Sequence, residues 1–421
     1  MENGTKWKSL SNFSSNYFYM FNHHKNLLFL SLARLFERAS FYGIRSILVI
    51  YLANSSLNLS YLQAGEFYAL LLALLVFSDF IGALIGDFLL GNKKSLFIGI
   101  ILSILGVILI EIETKLTVFS GLFTLALGSG LFSSNCIGLL GMSYSYQKDL
   151  SYSGFIFYFL ATDLGAFLLT VTGFMYSEYY FGLVMLVPLI SYLLSLIFIF
   201  LFKEKILIET GGLKASKQTY FKLTLYLFYS LIILAICPIL LDIKGLSNNF
   251  YHLMDDNTLK FATQIYEFII SVIAGVILFI YFSFKQKNEI KKIGIVLLIT
   301  AFLFILIYSS LKEYARLIIY VAIGFVIIME TLVRPLIFTL ILKHLNNKNI
   351  TTKMAFANLI MKFISSLVII PLVVEIESSS IFFVSIILLI ILGIVFLINK
   401  NFDSEEKLFS NQTPPKIQDN S

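Results

Sequence analysis

Between residues 34 and 45 the chain reads Arg34-Leu-Phe-Glu37-Arg38-Ala-Ser-Phe41-Tyr42-Gly43-Ile-Arg45. Steps of three and four put Arg34, Arg38, Phe41, Tyr42 and Arg45 along one face of a helix. Three guanidiniums on one face repel one another unless something negative or wet meets them, and arginine's planar fork suits carboxylates. Two arrangements would satisfy them: a wet cavity that receives anionic groups, or an ion-pair network that locks two helices together. Further charges stand among apolar neighbours at Asp79, Asp163, Glu267, Glu330, Arg334 and Lys362. Arg34, Arg38, Arg45, Arg334 and Lys362 thus face Glu37, Asp79, Asp163, Glu267 and Glu330, five bases against five acids. A near-neutral set of this kind points to one shared polar interior.

The elements that must carry these residues are membrane-spanning helices. The chain has 421 residues, of which 58% are hydrophobic and 13% charged; a soluble domain carries about twice that charge. Apolar runs of about twenty residues, enough to cross a bilayer as helices, fall at 27–53, 62–86, 95–112, 117–142, 152–174, 181–202, 221–241, 259–284, 293–311, 317–342, 353–374 and 381–399. The alternating ten-residue pattern of a membrane β-barrel is absent. The expected fold class is therefore an all-α membrane protein of twelve helices. A polar, basic break at 203–220, with Gly211 and Gly212, divides it into six-helix bundles at 27–202 and 221–399. A segment at 1–26 precedes them without a cleavable-signal pattern, and a tail at 400–421, holding Pro414 and Pro415, has a disordered composition. Within such helices each buried charge costs at least about 2.5 kcal/mol unless it faces a cavity or a partner.

Basic residues orient the chain. The termini and the loops on their side carry twenty-one lysines and arginines, and the opposite loops carry five. That bias places both termini in the cytoplasm and the protein in a cell inner membrane. It also accounts for the net charge of +6 without a nucleic-acid partner. Cys136 and Cys237 both fall in apolar runs and read as small buried hydrophobes. No metal cluster, nucleophile triad or phosphate loop suggests an enzyme, and no cofactor is expected. Pro188, Pro238, Pro335 and Pro371 lie inside expected helices, where they would supply bends.

The first-helix run resembles the signature of the proton-dependent oligopeptide transporter family of the major facilitator superfamily, written E-x-x-E-R-F-x-Y-Y-G. Glu37, Arg38, Tyr42 and Gly43 match it and Phe41 nearly does, while Arg34 and Ala39 depart from the first glutamate and the phenylalanine. Gly82-Ala-Leu-Ile-Gly86-Asp87-Phe-Leu-Leu-Gly91-Asn92-Lys93-Lys94 is similar to the loop between helices two and three of major facilitators. Gly128-Ser-Gly130-Leu-Phe132-Ser133-Ser134-Asn135 is similar to the family's G-x-G-x-F-K-P-N, with Ser133 and Ser134 replacing lysine and proline. Phe157-Tyr158 with Asp163-Leu-Gly165-Ala166 resembles F-Y…N-x-G-A, with Asp163 for asparagine. Glu330 followed by Pro335 resembles a pattern of the tenth helix.

The resemblance implies a two-bundle transporter working by alternating access on di- and tripeptides taken up with protons. It implies that Arg45 meets a peptide's carboxylate, that Glu330 meets its amino end, and that Phe41, Tyr42 and Asn135 join them at the substrate. Glu37, Arg38, Arg34, Asp163 and Arg334 become the coupling and ion-pair set. Within that set Arg34 stands as counter-ion of Glu37, Glu330 and Arg334 are i,i+4 neighbours, and Asp163 is either a proton carrier or a partner of Arg34 or Arg38. Asp87, Gly91, Lys93 and Lys94 become the gating loop. The expected partners are a small peptide, protons and lipid, with the chain a monomer. The departures at Arg34 and Ser133 keep two other readings open: a carrier for another small anion or amino acid, and an uncoupled facilitator or sensor.

Overall fold

The computed structural model describes residues 23, 25–55, 57, 59–145, 147–176, 185–202 and 257–284, with positions 298, 328, 331–332, 334–339, 341–343, 349–356, 358, 390 and 394. Among the described residues of the N-terminal half there are six α-helices: α1 (Lys25–Asn54), α2 (Tyr61–Leu84), α3 (Asn92–Glu111), α4 (Lys115–Ser143), α5 (Ser151–Tyr176) and α6 (Leu186–Leu201). A seventh, α7 (Asn257–Phe284), is the expected eighth span. Residues 331–343 and 350–358 are helical wherever described, and they belong to the expected tenth and eleventh spans. The expected span at 221–241, the break at 203–220, the tail at 400–421, Pro238, Pro371, Cys237, Glu330 and Lys362 lie outside the described residues. So does the side chain of Glu267.

Local signals set the helix ends. Ser60 and Thr114 each accept a hydrogen bond from the backbone three residues on, and Gln63 and Thr117 answer with reciprocal bonds, so α2 and α4 begin with capping boxes. Almost no loop separates α2 from α3. The helix runs on through a π-helical turn, Ile85–Leu90, and Gly91 at φ 83° then starts α3. A side chain there would be strained. Pro188, expected as an interior bend, sits in the first turn of α6, where its missing N–H costs no helical bond. Its carbonyl accepts the Ser40 hydroxyl at 2.7 Å.

Polarity is inverted relative to a soluble bundle. Ile101, Leu105, Ile108 and Ile112 make an exposed apolar stripe along α3, and Ile269, Ile273, Val276, Ile277 and Ile280 another along α7. Hydroxyls instead point inward: Ser103, Ser129, Ser151, Ser153 and Ser195 are buried. Lipid solvates the first kind of surface and excludes the second, so this is a multi-pass membrane protein. The α3 and α4 backbones touch. A methyl group built on Gly106 would lie 2.7 Å from the Leu125 nitrogen and 2.8 Å from the Gly121 carbonyl oxygen, and one on Gly128 would lie 2.6 Å from the Ser103 nitrogen. The α2 and α4 helices meet in the same way at Gly82 and Gly130. Small residues permit this approach, which membrane helices use in place of hydrophobic burial.

Candidate functional site

The α1 charges do not share one cavity. Glu37 is fully buried and takes Arg34 Nη1 at 3.0 Å and Arg38 Nε at 2.9 Å, both on Oε2. Arg38 Nη2 also reaches Glu37 Oε1 at 3.3 Å, and the Ser129 hydroxyl of α4 donates to that oxygen at 3.2 Å. Two guanidiniums thus share one carboxylate. The Arg38 guanidinium also lies over the Phe41 ring at 5.1 Å and the Tyr42 ring at 5.9 Å, and both ring faces favour a cation. Arg45 stands apart. Its Nε donates to the Tyr68 hydroxyl at 2.7 Å, and it faces the Tyr42 and Tyr68 rings.

A small cavity of about 40 Å³ opens beside this cluster. Arg34 lines it from α1, Asp79 from α2, Ser133 and Ser134 from α4, and Tyr158 and Phe159 from α5. Arg334 and Asn358 close it from the C-terminal half. Arg334 approaches Asp163 at 4.0 Å and lies 4.4 Å over the Phe159 ring. Asp163 also accepts from Ser271 of α7 at 3.4 Å, and Asn358 donates to Asp79 at 3.1 Å. These contacts join the two halves across the cavity wall. Asp163 and Arg334 keep 41% and 35% of their side-chain surface exposed, so the pair is accessible to water and to a ligand.

The lysine-rich end is shut below the cavity. Asp87 accepts the Thr352 backbone N–H and hydroxyl, each at 2.7 Å, and the Asn92 amide at 3.0 Å. Asn92 also reaches Asn135 Oδ1 at 3.1 Å and the Thr351 hydroxyl at 2.5 Å. Tyr152 donates to the Leu332 carbonyl at 2.8 Å. His23, buried just before α1, bonds the Tyr144 hydroxyl at 2.6 Å and Ser153 and Ser283 at 3.2 Å each, so it ties α5 to α7. Lys148, between α4 and α5, donates to the Lys343 carbonyl at 3.4 Å. Burial and the neighbouring Lys343 ammonium push its own ammonium below the usual lysine range.

Several expected placements change. Asn135, expected at substrate, is fully buried in the closure. Its amide donates to the Gly82 and Leu131 carbonyls at 3.0 and 2.7 Å, so no hydrogen is left for a ligand. Asp163 partners Arg334, not Arg34 or Arg38. Within the gating loop Asp87 and Gly91 are structural parts of the closure, whereas Lys93 lies over the Phe202 ring at 5.6 Å and Lys94 is exposed. Asn92, His23, Tyr68, Ser129, Thr351, Thr352 and Asn358 complete these sites and were not singled out from sequence. Asn92 carried a signal, a lone amide between Gly91 and Lys93 at a helix start; the others are single polar residues with no pattern around them.

No protein-family model matches the chain. A di-/tripeptide transporter of Lactococcus lactis subsp. lactis is 32% identical over 153 residues, covering 35% of this chain and 31% of that protein. Dipeptide and tripeptide permease B of Edwardsiella piscicida is 24% identical over 289 residues, covering 66% and 54%. The match to the Lactococcus relative thus spans about a third of that protein's length. Among solved structures, the peptide transporter POT in complex with alafosfalin superposes with a TM-score of 0.58 at 18% identity over 90% of this chain and 94% of that one. A human organic anion transporter gives a TM-score of 0.67 at 12% identity over 89% and 100%. Those likenesses fix the major facilitator fold. These relatives are transporters, and over about a third of its length the chain is similar to di- and tripeptide permeases, on a fold that it shares with solved peptide transporters.

Proposed function

We propose that the protein carries small peptides across a cell inner membrane by alternating access, as a monomer with both termini in the cytoplasm, and couples the movement to protons. The observation that carries this reading is a cavity lined by both halves beside an ion pair that spans them. Arg334 and Asp163 meet at 4.0 Å, loose enough for a substrate group to compete for the guanidinium. When Arg334 turns to substrate, Asp163 loses its counter-ion and carries the coupled proton. The bridge between the halves is then free to break, and the closure at Asp87 and Thr352 can open. Glu37 keeps Arg34 and Arg38 throughout, so the α1 cluster stays charge-compensated while the halves move. The permease names of the relatives support the substrate class.

Uptake of labelled dialanine into proteoliposomes tests this directly. The wild-type protein should accumulate it under an imposed inward proton gradient. Asp163→Asn should still exchange dialanine across the membrane but fail to concentrate it. Gradient-independent equilibration by the wild type would remove the coupling and leave an uncoupled facilitator.

A further inference from the structure

Arg34 occupies the cavity wall in an unfinished state. The residue is 6% exposed, one end of its guanidinium is bound to Glu37, and its Nε is buried with no hydrogen-bond acceptor among the described residues. A buried donor left without an acceptor is costly, more so when it belongs to a charged group. Tyr158 lines the same cavity, and its buried hydroxyl has no oxygen or nitrogen partner among the described residues, only the weakly accepting Cys136 thiol. The Arg34 guanidinium sits 5.8 Å from the centre of the Tyr158 ring, so the two side chains neighbour each other in the wall. Arg334 faces them from the other half, and the Ser133 hydroxyl completes the wall. Of the ionised groups in that wall, Arg34 and Arg334 are cations, and the Asp79 carboxylate is engaged by Asn358.

We infer that this corner is an anion subsite, and that Arg34, Tyr158 and Arg334 together hold a carboxylate of the substrate. The inference rests on the transport reading above but assigns the carboxylate to a different arginine from the one the sequence resemblance implies. Arg45 is already engaged by Tyr68 and lies outside the described lining of this cavity. Eleven residues separate Arg34 from Arg45, about 16 Å along the helix axis at 1.5 Å per residue. One short peptide therefore does not place the same carboxylate on both. Filling the corner with an anion supplies the acceptors that Arg34 and Tyr158 lack. It also draws Arg334 away from Asp163, so occupancy of this subsite and release of the inter-half bridge are one event.

The carboxylate has two sources in a peptide, its C-terminus and an acidic side chain, and binding to the purified full-length protein separates them. Affinities are measured for dialanine, dialanine amide, Ala-Glu, Ala-Gln and free glutarate. A charge-assisted fork predicts a preference of about tenfold or more for the carboxylate member of a pair. Preference for dialanine over its amide assigns the C-terminus; preference for Ala-Glu over Ala-Gln assigns the side chain. In Arg34→Gln, and independently in Arg334→Gln, that preference should collapse while the amide member still binds. The wild-type comparison stands even where a variant fails to fold. Equal affinities within both pairs overturn the subsite. So does a preference that survives Arg34→Gln but disappears in Arg45→Gln. Glutarate binding with no response to any dipeptide retains the subsite and overturns the peptide reading, and silence toward all five probes overturns both.

Discussion

Asp87→Asn should loosen the closed end by an amount the geometry allows to be worked out. The carboxylate takes two bonds from Thr352 across the halves, both at 2.7 Å, and one from Asn92 at 3.0 Å within its own half. Hydrogen bonds to a charged group contribute about 1.5–3 kcal/mol and neutral ones about 0.5–1.5. Neutralising Asp87 therefore removes about 1 kcal/mol from each of the two bonds that opening must break, or about 2–3 kcal/mol in all. At 1.4 kcal/mol per tenfold, the open fraction rises about 30- to 150-fold. The assay is the labelling rate of Ser133→Cys, a cavity residue, by an impermeant thiol reagent. It is applied to inside-out vesicles of a variant with Cys136 and Cys237 replaced by serine. If opening precedes labelling, the rate rises by the same factor. A folded Asp87→Asn variant labelled within about twofold of its parent refutes the reasoning, because the cross-half bonds would then contribute nothing to closure.

Other outcomes follow from the same contacts. Gly106→Val should cut the yield of folded protein sharply, measured by size-exclusion recovery, because its Cβ would meet the α4 backbone at 2.7 Å with nowhere to relax. Lys148→Met should raise the thermal midpoint of the closed form, since it removes a half-buried ammonium beside Lys343. Because closure depresses that ammonium's pKa, closing releases a proton and is favoured as pH rises through the depressed range, a trend the variant should lose. Orientation is checked by cysteine labelling of whole cells: Lys94→Cys should be protected and Leu62→Cys, at the opposite end and 76% exposed, should react.

Helices were legible because lipid imposes a length and an apolar surface on them. The expected runs at 27–53, 117–142 and 259–284 fall within two residues of α1, α4 and α7. Charge was legible as a set and in one pair, Arg34 with Glu37 three residues on, which meet at 3.0 Å. The helical face through Arg34, Arg38 and Arg45 predicted a common outlook, yet Glu37 sits one position off that face and still draws Arg34 and Arg38 to itself, because a flexible side chain follows the nearest opposite charge. Asp163 could not be assigned to Arg334 from sequence, since 171 positions separate them and no local periodicity links α5 to the C-terminal half. The closure was half legible. Asp87 belongs to a recognisable loop pattern, but its Thr352 partner is an unremarkable threonine whose backbone N–H does part of the binding. Asn135 misled because a motif position states that an amide is needed, not which groups it serves.

The glycine contacts that join α2, α3 and α4 differ in kind from the contacts that join α5 to α7. In the first, backbone lies on backbone at Gly82, Gly106 and Gly128, so no side-chain rotation can absorb relative motion. In the second, ring lies against ring: Phe167 on Phe268 at 3.6 Å and nearly parallel, Phe157 by Phe279 at 5.0 Å, Tyr152 by Phe282 at 4.7 Å. The Phe167–Phe268 stack can slide with little change in contact area, while hydrogen bonds of His23 to Ser153 and Ser283 and of Ser271 to Asp163 hold the two helices along the same seam. The protein thus sets a stiff block, backbone on backbone, beside a seam made of side chains. On the transport reading proposed above, motion that starts at the Asp163–Arg334 bridge is expected to reach the Asp87 closure as displacement of that block, with little lost to bending inside it.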